Sequence, residues 1–103
     1  MSQKISKICV VLADRANYGR MFPVMRVIDK DKEFKLQTVC AGTMLLERFG
    51  QAEKVVEEDG FKVDRRVFLE VEGSTPVTMS KSIGLGIIEF TNIFQQLQPD
   101  ILL

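Results

Sequence analysis

The chain has 103 residues, which is enough for one small domain with a hydrophobic core. Hydrophobic residues make up 46% and charged residues 27%, which argues against a disordered chain. Lysine plus arginine and aspartate plus glutamate number 14 each, so the net charge is zero and the basic excess usual in nucleic-acid-binding proteins is absent. No apolar run approaches ~18 residues, so no membrane span is predicted.

The cysteine and histidine content limits the metal sites and the acid–base catalysis that this chain could provide. Cys9 and Cys40 fall in predicted strands without a Cys-x-x-Cys spacing, and histidine is absent. This pattern favours buried, reduced thiols in a cytoplasmic protein, and it predicts neither a metal site nor a cofactor. The N-terminal residues lack the apolar segment and cleavage site of a signal peptide. Acid–base catalysis at neutral pH would need a carboxylate, a lysine or residues outside this chain.

Four predicted strands alternate with three helical regions, a pattern typical of a Rossmann-like parallel sheet with flanking helices. The strands are predicted over residues 7–13, 34–41, 63–71 and 100–103, and the helical regions over about 19–30, 44–59 and 75–97. Pro23 fits only the first turn of a helix, which predicts a first helix that begins near residues 20–22. Gly60 is a candidate C-cap for the second helical region.

The second half of the chain carries further boundary signals. Apolar and charged residues alternate in the third strand, which suits an edge position. Thr75 and Pro76 predict the start of the last helix. Its apolar residues fall on one stripe: Met79, Ile83, Ile87, Phe90, Phe94 and Leu97. The final residues look like a strand cut partway, so we expect residues 1–103 to be an incomplete part of a larger domain.

The most informative stretch is the polar turn that follows the first strand. In parallel sheets, ligands bind at the carboxyl ends of the strands. Arg15 lies in this turn, and its planar fork of donors suits a phosphate or a carboxylate. Gly19 allows close backbone approach at a helix start, although no Gly-x-Gly-x-x-Gly fingerprint is present. In the alternative interpretation, Arg15 forms an ion pair at the rim and Gly19 is only a turn residue.

Three other features have simpler interpretations. Asp14 is expected to bond loop backbone or to pair with Arg15 or Arg20, since no acid cluster supports a phosphoacceptor site. The glycines of residues 80–86 follow the lysine and lie within a helix, so helix packing is favoured over phosphate binding. The charge run over residues 53–59 is interpreted as a solvated helix face.

Six short motifs occur in order along the chain: VVLADRANYG at 10–19, AGTMLLERFG at 41–50, EEDGF at 57–61, EG at 72–73, MSKSIGLG at 79–86 and QPD at 98–100. Taken together, these motifs resemble those of hydrolysing UDP-N-acetylglucosamine 2-epimerases. They follow the family order over nearly the whole chain. The resemblance implies a glycosyltransferase-B fold of two Rossmann-like domains, with this chain as the first part of the N-terminal domain.

The resemblance also implies a reaction and a set of binding residues. UDP is eliminated from UDP-GlcNAc after loss of the C2 proton, and water then adds to give N-acetylmannosamine, a precursor of sialic acids. Arg15 would stabilise the departing diphosphate, while Ala16 and Gly19 would let the chain pass close to the nucleotide. Met44 stands where many relatives carry a histidine that faces the sugar, and it is the fourth predicted binding residue. The catalytic acids lie beyond this chain, so no catalytic residue is predicted within it.

Two other functions fit the same sequence, and the sequence also predicts self-association. The chain could be a non-catalytic flavodoxin-like binding or interaction module, or part of a glycosyltransferase with the same architecture. The expected partners are a UDP-sugar and a second copy of the chain, with no nucleic acid and no membrane. Homo-oligomerisation is expected because the last helix is long and an unpaired fourth strand promotes pairing.

Overall fold

The computed structural model describes residues 5–45, 52–68 and 75–103. Strands and helices alternate along these ranges, as predicted. In chain order they are β1 (Ser6–Leu12), α1 (Arg15–Lys30), β2 (Phe34–Ala41), a short 3₁₀ helix (Gly42–Leu45), α2 (Glu53–Glu58), β3 (Arg65–Val67), α3 (Pro76–Leu97) and β4 (Ile101–Leu102).

The four strands form one parallel sheet in the order β3-β2-β1-β4. Strand β3 lies at an edge, as its alternating pattern predicts. The chain first moves from β1 through β2 to β3, and it then returns to place β4 on the other side of β1. The direction of strand addition therefore reverses between β1 and β4. The sheet and its flanking helices confirm the predicted Rossmann-like α/β fold.

Two apolar layers cover the two faces of the sheet. Successive residues of β1 point to opposite faces, so Val10 packs in the layer with α1 and α2, and Cys9 packs in the layer with α3. Cys40 lies in the α1 layer, so the two free thiols sit on opposite faces of the sheet. Burial raises the pKa of Cys9 to about 11 and that of Cys40 to about 12. Both thiols are free and buried, as predicted, and their raised pKa values favour the protonated form.

An aspartate marks the start of each edge strand. The Asp64 backbone N–H donates to the Thr38 carbonyl, and the Asp64 carboxylate accepts from the Thr38 N–H, both at 2.8 Å. Asp100 makes the same pair of bonds with Lys7, also at 2.8 Å. Each aspartate thus joins its strand to an inner strand with both its backbone and its side chain, before the regular ladder begins.

Helix α1 begins earlier than predicted, and the expectation that Pro23 lies in its first turn was wrong. The Asp14 carboxylate accepts a hydrogen bond from the Asn17 N–H at 2.7 Å and caps the helix, which begins at Arg15. Pro23 consequently lies inside the helix and deprives the Gly19 carbonyl of its helical donor. Pro23 is exposed, while Tyr18, Met25 and Ile28 are buried, so packing of the opposite face holds the helix together.

Several other predicted boundaries are confirmed. Thr75 caps α3 through a reciprocal pair of bonds with Thr78, and Pro76 occupies the first position of that helix. Gly60 follows α2 with φ of +96°, a backbone conformation that favours glycine. Residues 69–71 of the predicted third strand and residues 46–51 of the second helical region lie outside the described residues.

Only part of the α3 stripe packs on the sheet. Phe90, Ile93, Phe94 and Leu97 contact the sheet layer, whereas Met79, Ile83 and Ile87 toward the N-terminal half are each more than 60% exposed. An open apolar groove of about 410 Å³ runs between α3 and β1 beside Ile83 and Ile87.

The two glycines of α3 differ in their surroundings. Gly86 is buried, in line with the predicted packing role. A Cβ at Gly84 would meet no described atom within 4 Å, so the same prediction gains no support for Gly84 from the described residues. None of the described helices combines the length and apolar character that crossing a bilayer requires.

Candidate functional site

The first turn of α1 lies at the carboxyl end of the inner strand β1. Arg15 is the first residue of the helix and follows the end of β1 by three positions. The Leu103 carbonyl accepts a hydrogen bond from the Val11 N–H, so the end of β4 lies beside the same part of β1. Arg15 therefore sits where strand addition reverses, which is the position at which open α/β sheets bind ligands.

Two side chains fix the backbone of this turn. The Asp14 carboxylate accepts from the Asn17 N–H at 2.7 Å, and the Asn17 side-chain oxygen accepts from the Ala13 N–H at 3.2 Å. This reciprocal arrangement resembles a capping box, with an acid at the cap and an amide three residues later. The predicted backbone bond of Asp14 is confirmed. The turn that presents Arg15 is held in place before any ligand arrives.

Arg15 is exposed, and its guanidinium makes no hydrogen bond or ion pair with residues 5–45, 52–68 or 75–103. The alternative interpretation, in which Arg15 is held by an ion pair at the rim, gains no support from these ranges. Ala16 and Gly19 are also exposed, and a Cβ at Gly19 would meet no described atom within 4 Å. The structure thus brings Arg15, Ala16 and Gly19 together on an open surface.

Met44 lies close to this turn in the fold but faces the other way. Gly42 adopts φ of +58°, and a Cβ there would lie 3.4 Å from the Ala13 carbonyl oxygen, so the turn after β2 contacts the turn after β1. The Met44 side chain, two residues on, is fully buried in the α1 layer of the core. The interpretation of Met44 as a ligand contact therefore gains no support from the geometry.

Tyr18, Phe22 and Arg26 of α1 contact Asp59 and Phe61, which follow the end of α2. These five residues form the seam between α1 and α2. The Tyr18 hydroxyl donates to the Asp59 carboxylate at 2.5 Å. Burial, followed by this hydrogen bond and the charge of Asp59, raises the pKa of Tyr18 well above its usual value. The Arg26 guanidinium lies 5.0 Å from the ring centre of Phe22 and 5.4 Å from that of Phe61.

The charge run over residues 53–59 is only in part a solvated face. Glu53 and Glu57 pair with Arg66 of β3 at 2.5 and 2.7 Å, and the Glu53 side chain is 13% exposed. The hydrogen bond to Glu53 and the charges of both acids raise the pKa of Arg66. These acids join α2 to an edge strand. In the described ranges, no three histidine, cysteine, aspartate or glutamate residues cluster closely enough to hold a metal ion.

Comparison with curated proteins identifies the relatives of this chain. No protein-family profile matches it. It is 30% identical over 94 residues to the GDP/UDP-N,N'-diacetylbacillosamine 2-epimerase (hydrolyzing) of Campylobacter jejuni, a match that covers 91% of this chain. It is 26% identical over 99 residues, or 96% of the chain, to the UDP-N,N'-diacetylbacillosamine 2-epimerase (hydrolyzing) of Legionella pneumophila.

Over nearly its whole length, the chain is thus similar to proteins named as hydrolysing 2-epimerases. The matches cover 24% and 26% of the two curated epimerases, so the chain spans about a quarter of their length.

Solved structures of 2-epimerases share the fold. A UDP-N-acetylglucosamine 2-epimerase superposes with a TM-score of 0.78 at 17% identity, over 96% of this chain and 26% of that one. The UDP-GlcNAc 2-epimerase of Neisseria meningitidis, solved bound to UDP-GlcNAc, superposes with a TM-score of 0.70 at 18% identity. That match covers 93% of this chain and 24% of the Neisseria protein. At these identities the epimerase structures establish the arrangement of strands and helices.

Sequence reasoning missed Tyr18 and Asp59. Tyr18 lies seven residues before Met25 on the buried side of α1, and both are buried, so helical periodicity from a start at Arg15 would have placed it in the core. Its bond to Asp59 spans 41 residues, and no local pattern signals such a contact.

Proposed function

We propose that the whole protein is a hydrolysing UDP-sugar 2-epimerase and that this chain is part of its N-terminal Rossmann-like domain. The reaction would remove the C2 proton of UDP-GlcNAc, eliminate UDP and add water, giving N-acetylmannosamine. Sequence relatives named as hydrolysing 2-epimerases support this assignment. The groups that move protons would lie outside residues 1–103.

The position of Arg15 carries the proposal. Its exposed guanidinium stands at the reversal point of the sheet, on a turn fixed by Asp14 and Asn17. Elimination places negative charge on the departing diphosphate, and a planar fork of donors that is fixed beforehand stabilises such charge. Arginine stays protonated at neutral pH, so Arg15 would bind the leaving group and would not act as an acid or base.

Assays of the whole protein test the proposal directly. Incubation with UDP-GlcNAc should release UDP and N-acetylmannosamine with no sugar acceptor present. A glycosyltransferase would release UDP efficiently only when an acceptor is added, and a binding module would release none. Either outcome would exclude the proposed reaction.

The names of the curated relatives favour a second substrate. Both contain N,N'-diacetylbacillosamine, and one includes GDP as well as UDP. UDP-N,N'-diacetylbacillosamine and its GDP counterpart should therefore be assayed beside UDP-GlcNAc at equal concentration. The largest kcat/KM assigns the substrate, because discrimination between related sugars is expressed in that ratio.

Gly19→Ala tests close approach of the ligand. Because alanine is the better helix former and the new methyl meets no described atom, the free energy of unfolding should rise by about 1 kcal/mol. If the nucleotide passes close to Gly19, the same methyl should weaken UDP binding by about tenfold, measured by titration calorimetry. The substitution should thus stabilise the fold and impair binding.

Gly84→Ala is the matched control. Gly84 also lies inside a helix, and a Cβ there also meets no described atom within 4 Å. It should give a similar gain in thermal stability with an unchanged Kd for UDP. Equal UDP affinity in the two variants would show that no ligand approaches Gly19.

We also propose that the whole protein is a cytoplasmic homo-oligomer. Two free, buried cysteines suit a reducing compartment. The exposed apolar side chains of α3 and the exposed strand β4 offer surfaces that a second copy could cover. Light scattering tests the assembly, and a monomer at all concentrations would refute it.

A further inference from the structure

The seam between α1 and α2 is fixed at two places. Nearest the turn, the Tyr18 hydroxyl donates to the Asp59 carboxylate at 2.5 Å. One turn further along α1, the Phe22 ring meets the Phe61 ring edge-on at 5.9 Å, and Arg26 lies over both rings. Only the first of these contacts involves the residues beside Arg15.

The Tyr18 side chain leaves the helix close to Arg15. Residues three apart on a helix share a side, so Tyr18 anchors the side from which Arg15 projects. Its ring is 4% exposed and packs edge-on against Phe22 at 5.9 Å. The first turn of a helix lacks several intrahelical hydrogen bonds and frays readily. The Tyr18–Asp59 hydrogen bond therefore helps to determine where this turn lies.

Three charged side chains influence the pKa of the Tyr18 hydroxyl: those of Asp59, Arg26 and Arg15. Asp59 favours the protonated hydroxyl, whereas the positive charges of Arg26 and Arg15 oppose that effect on the pKa of Tyr18. Arg15 stands three residues before Tyr18 at the start of the same helix. It makes no ion pair with Asp59, since no such contact occurs in the described ranges.

We propose that the Tyr18–Asp59 hydrogen bond positions Arg15 for a nucleotide diphosphate. Tyr18 and Asp59 are positioning residues: they hold the first turn of α1 against the end of α2, and neither needs to touch the ligand. The role rests on the proposed function, because it presupposes that Arg15 binds the diphosphate. Asp59 thereby contributes to the site although it lies at the end of α2, 41 residues from Tyr18.

A double-mutant cycle on the whole protein, with UDP as the probe, tests this role. Tyr18→Phe removes the hydroxyl and should weaken UDP binding by about five- to tenfold. Asp59→Asn keeps an oxygen that accepts the bond and should bind UDP within about twofold of the parent, whereas Asp59→Ala should match Tyr18→Phe. In an Arg15→Ala background, Tyr18→Phe should have no further effect, because the residue it positions is gone.

Two measurements separate positioning from general stability. Val67→Ala creates a cavity in the other core layer and should lower stability without changing UDP affinity. Amide exchange of residues 17–19, whose N–H groups are the first of α1 to be hydrogen-bonded, should rise by about tenfold or more in Tyr18→Phe, with little change in the last turn of α1. This measurement needs no ligand and remains decisive if UDP binding proves undetectable.

The outcomes distinguish the two hypotheses. If Arg15→Ala leaves UDP affinity unchanged, the proposed function of Arg15 fails. If Arg15→Ala weakens binding and Tyr18→Phe multiplies that loss independently, Arg15 keeps its role and the positioning role of Tyr18 is refuted. Unchanged exchange of residues 17–19 in Tyr18→Phe would refute the positioning role without reference to the ligand.

Discussion

Replacing Arg15 with alanine should lower the kcat/KM of the whole protein for its UDP-sugar by about 10²–10³-fold. The guanidinium is exposed at the carboxyl end of an inner strand, on a turn whose backbone is already fixed by Asp14 and Asn17. Without the guanidinium, no paired N–H donors from residue 15 would stabilise the negative charge that develops on the leaving diphosphate. Steady-state kinetics of UDP release measure the effect.

Two other substitutions make this result specific. Arg15→Lys keeps the charge but loses the bidentate geometry, so it should recover only part of the activity. Arg20→Ala removes another exposed arginine of α1 and should change kcat/KM by less than about twofold. Equal losses in Arg15→Ala and Arg20→Ala would show that general positive charge matters, and would remove Arg15 from the site.

Met44→His should destabilise the chain by about 2–3 kcal/mol, because Met44 is fully buried in an apolar layer. The substitution brings in the residue type that the family resemblance associates with a sugar-facing position. If the side chain of residue 44 faced a ligand, an imidazole there would be solvated and stability would hardly change. Chemical denaturation at pH 7 distinguishes the two placements.

The pH dependence adds a second readout for the same variant. Burial disfavours the imidazolium, so the folded-state pKa of the new side chain should lie below the unfolded value of about 6.5. The unfolded chain then binds more protons, and the destabilisation should grow as the pH falls from 7 toward 5. Met44→Leu, which conserves volume, should cost less than about 1.5 kcal/mol with no such pH dependence. A flat pH profile for Met44→His would contradict burial of residue 44.

The boundaries that the sequence predicts well are those with a local physical cause. Thr75 and Pro76 mark the start of α3, and the described part of β3 lies at the edge that its alternating pattern predicts. The observed start of α1 differs from the predicted one because the cap formed by Asp14 outweighs the preference of Pro23 for a first turn. A buried apolar face compensates for a proline inside a helix, and only tertiary structure reveals that compensation.

The residues of the candidate site also differ in how well the sequence predicts them. Arg15 could be found from the sequence because the end of a predicted parallel strand already specifies where a ligand lies. The orientation of Met44 could not, since the short 3₁₀ helix after β2 gives no periodic pattern from which a buried face can be inferred. The bond between Tyr18 and Asp59 joins residues 41 apart, so it depends on how α1 and α2 pack.

The two aspartates that directly precede β3 and β4 help to fix the register of these strands in the sheet. Parallel strands lack a tight hairpin that would fix their alignment, and a slip of one residue would turn every buried side chain of the strand toward the opposite face. Asp64 and Asp100 each complete a two-bond match with one residue of an inner strand, across 26 and 93 positions of sequence. A misaligned strand would lose both hydrogen bonds that its aspartate makes. Correct alignment of each edge strand is thus encoded in one side chain, independently of the connection that precedes it.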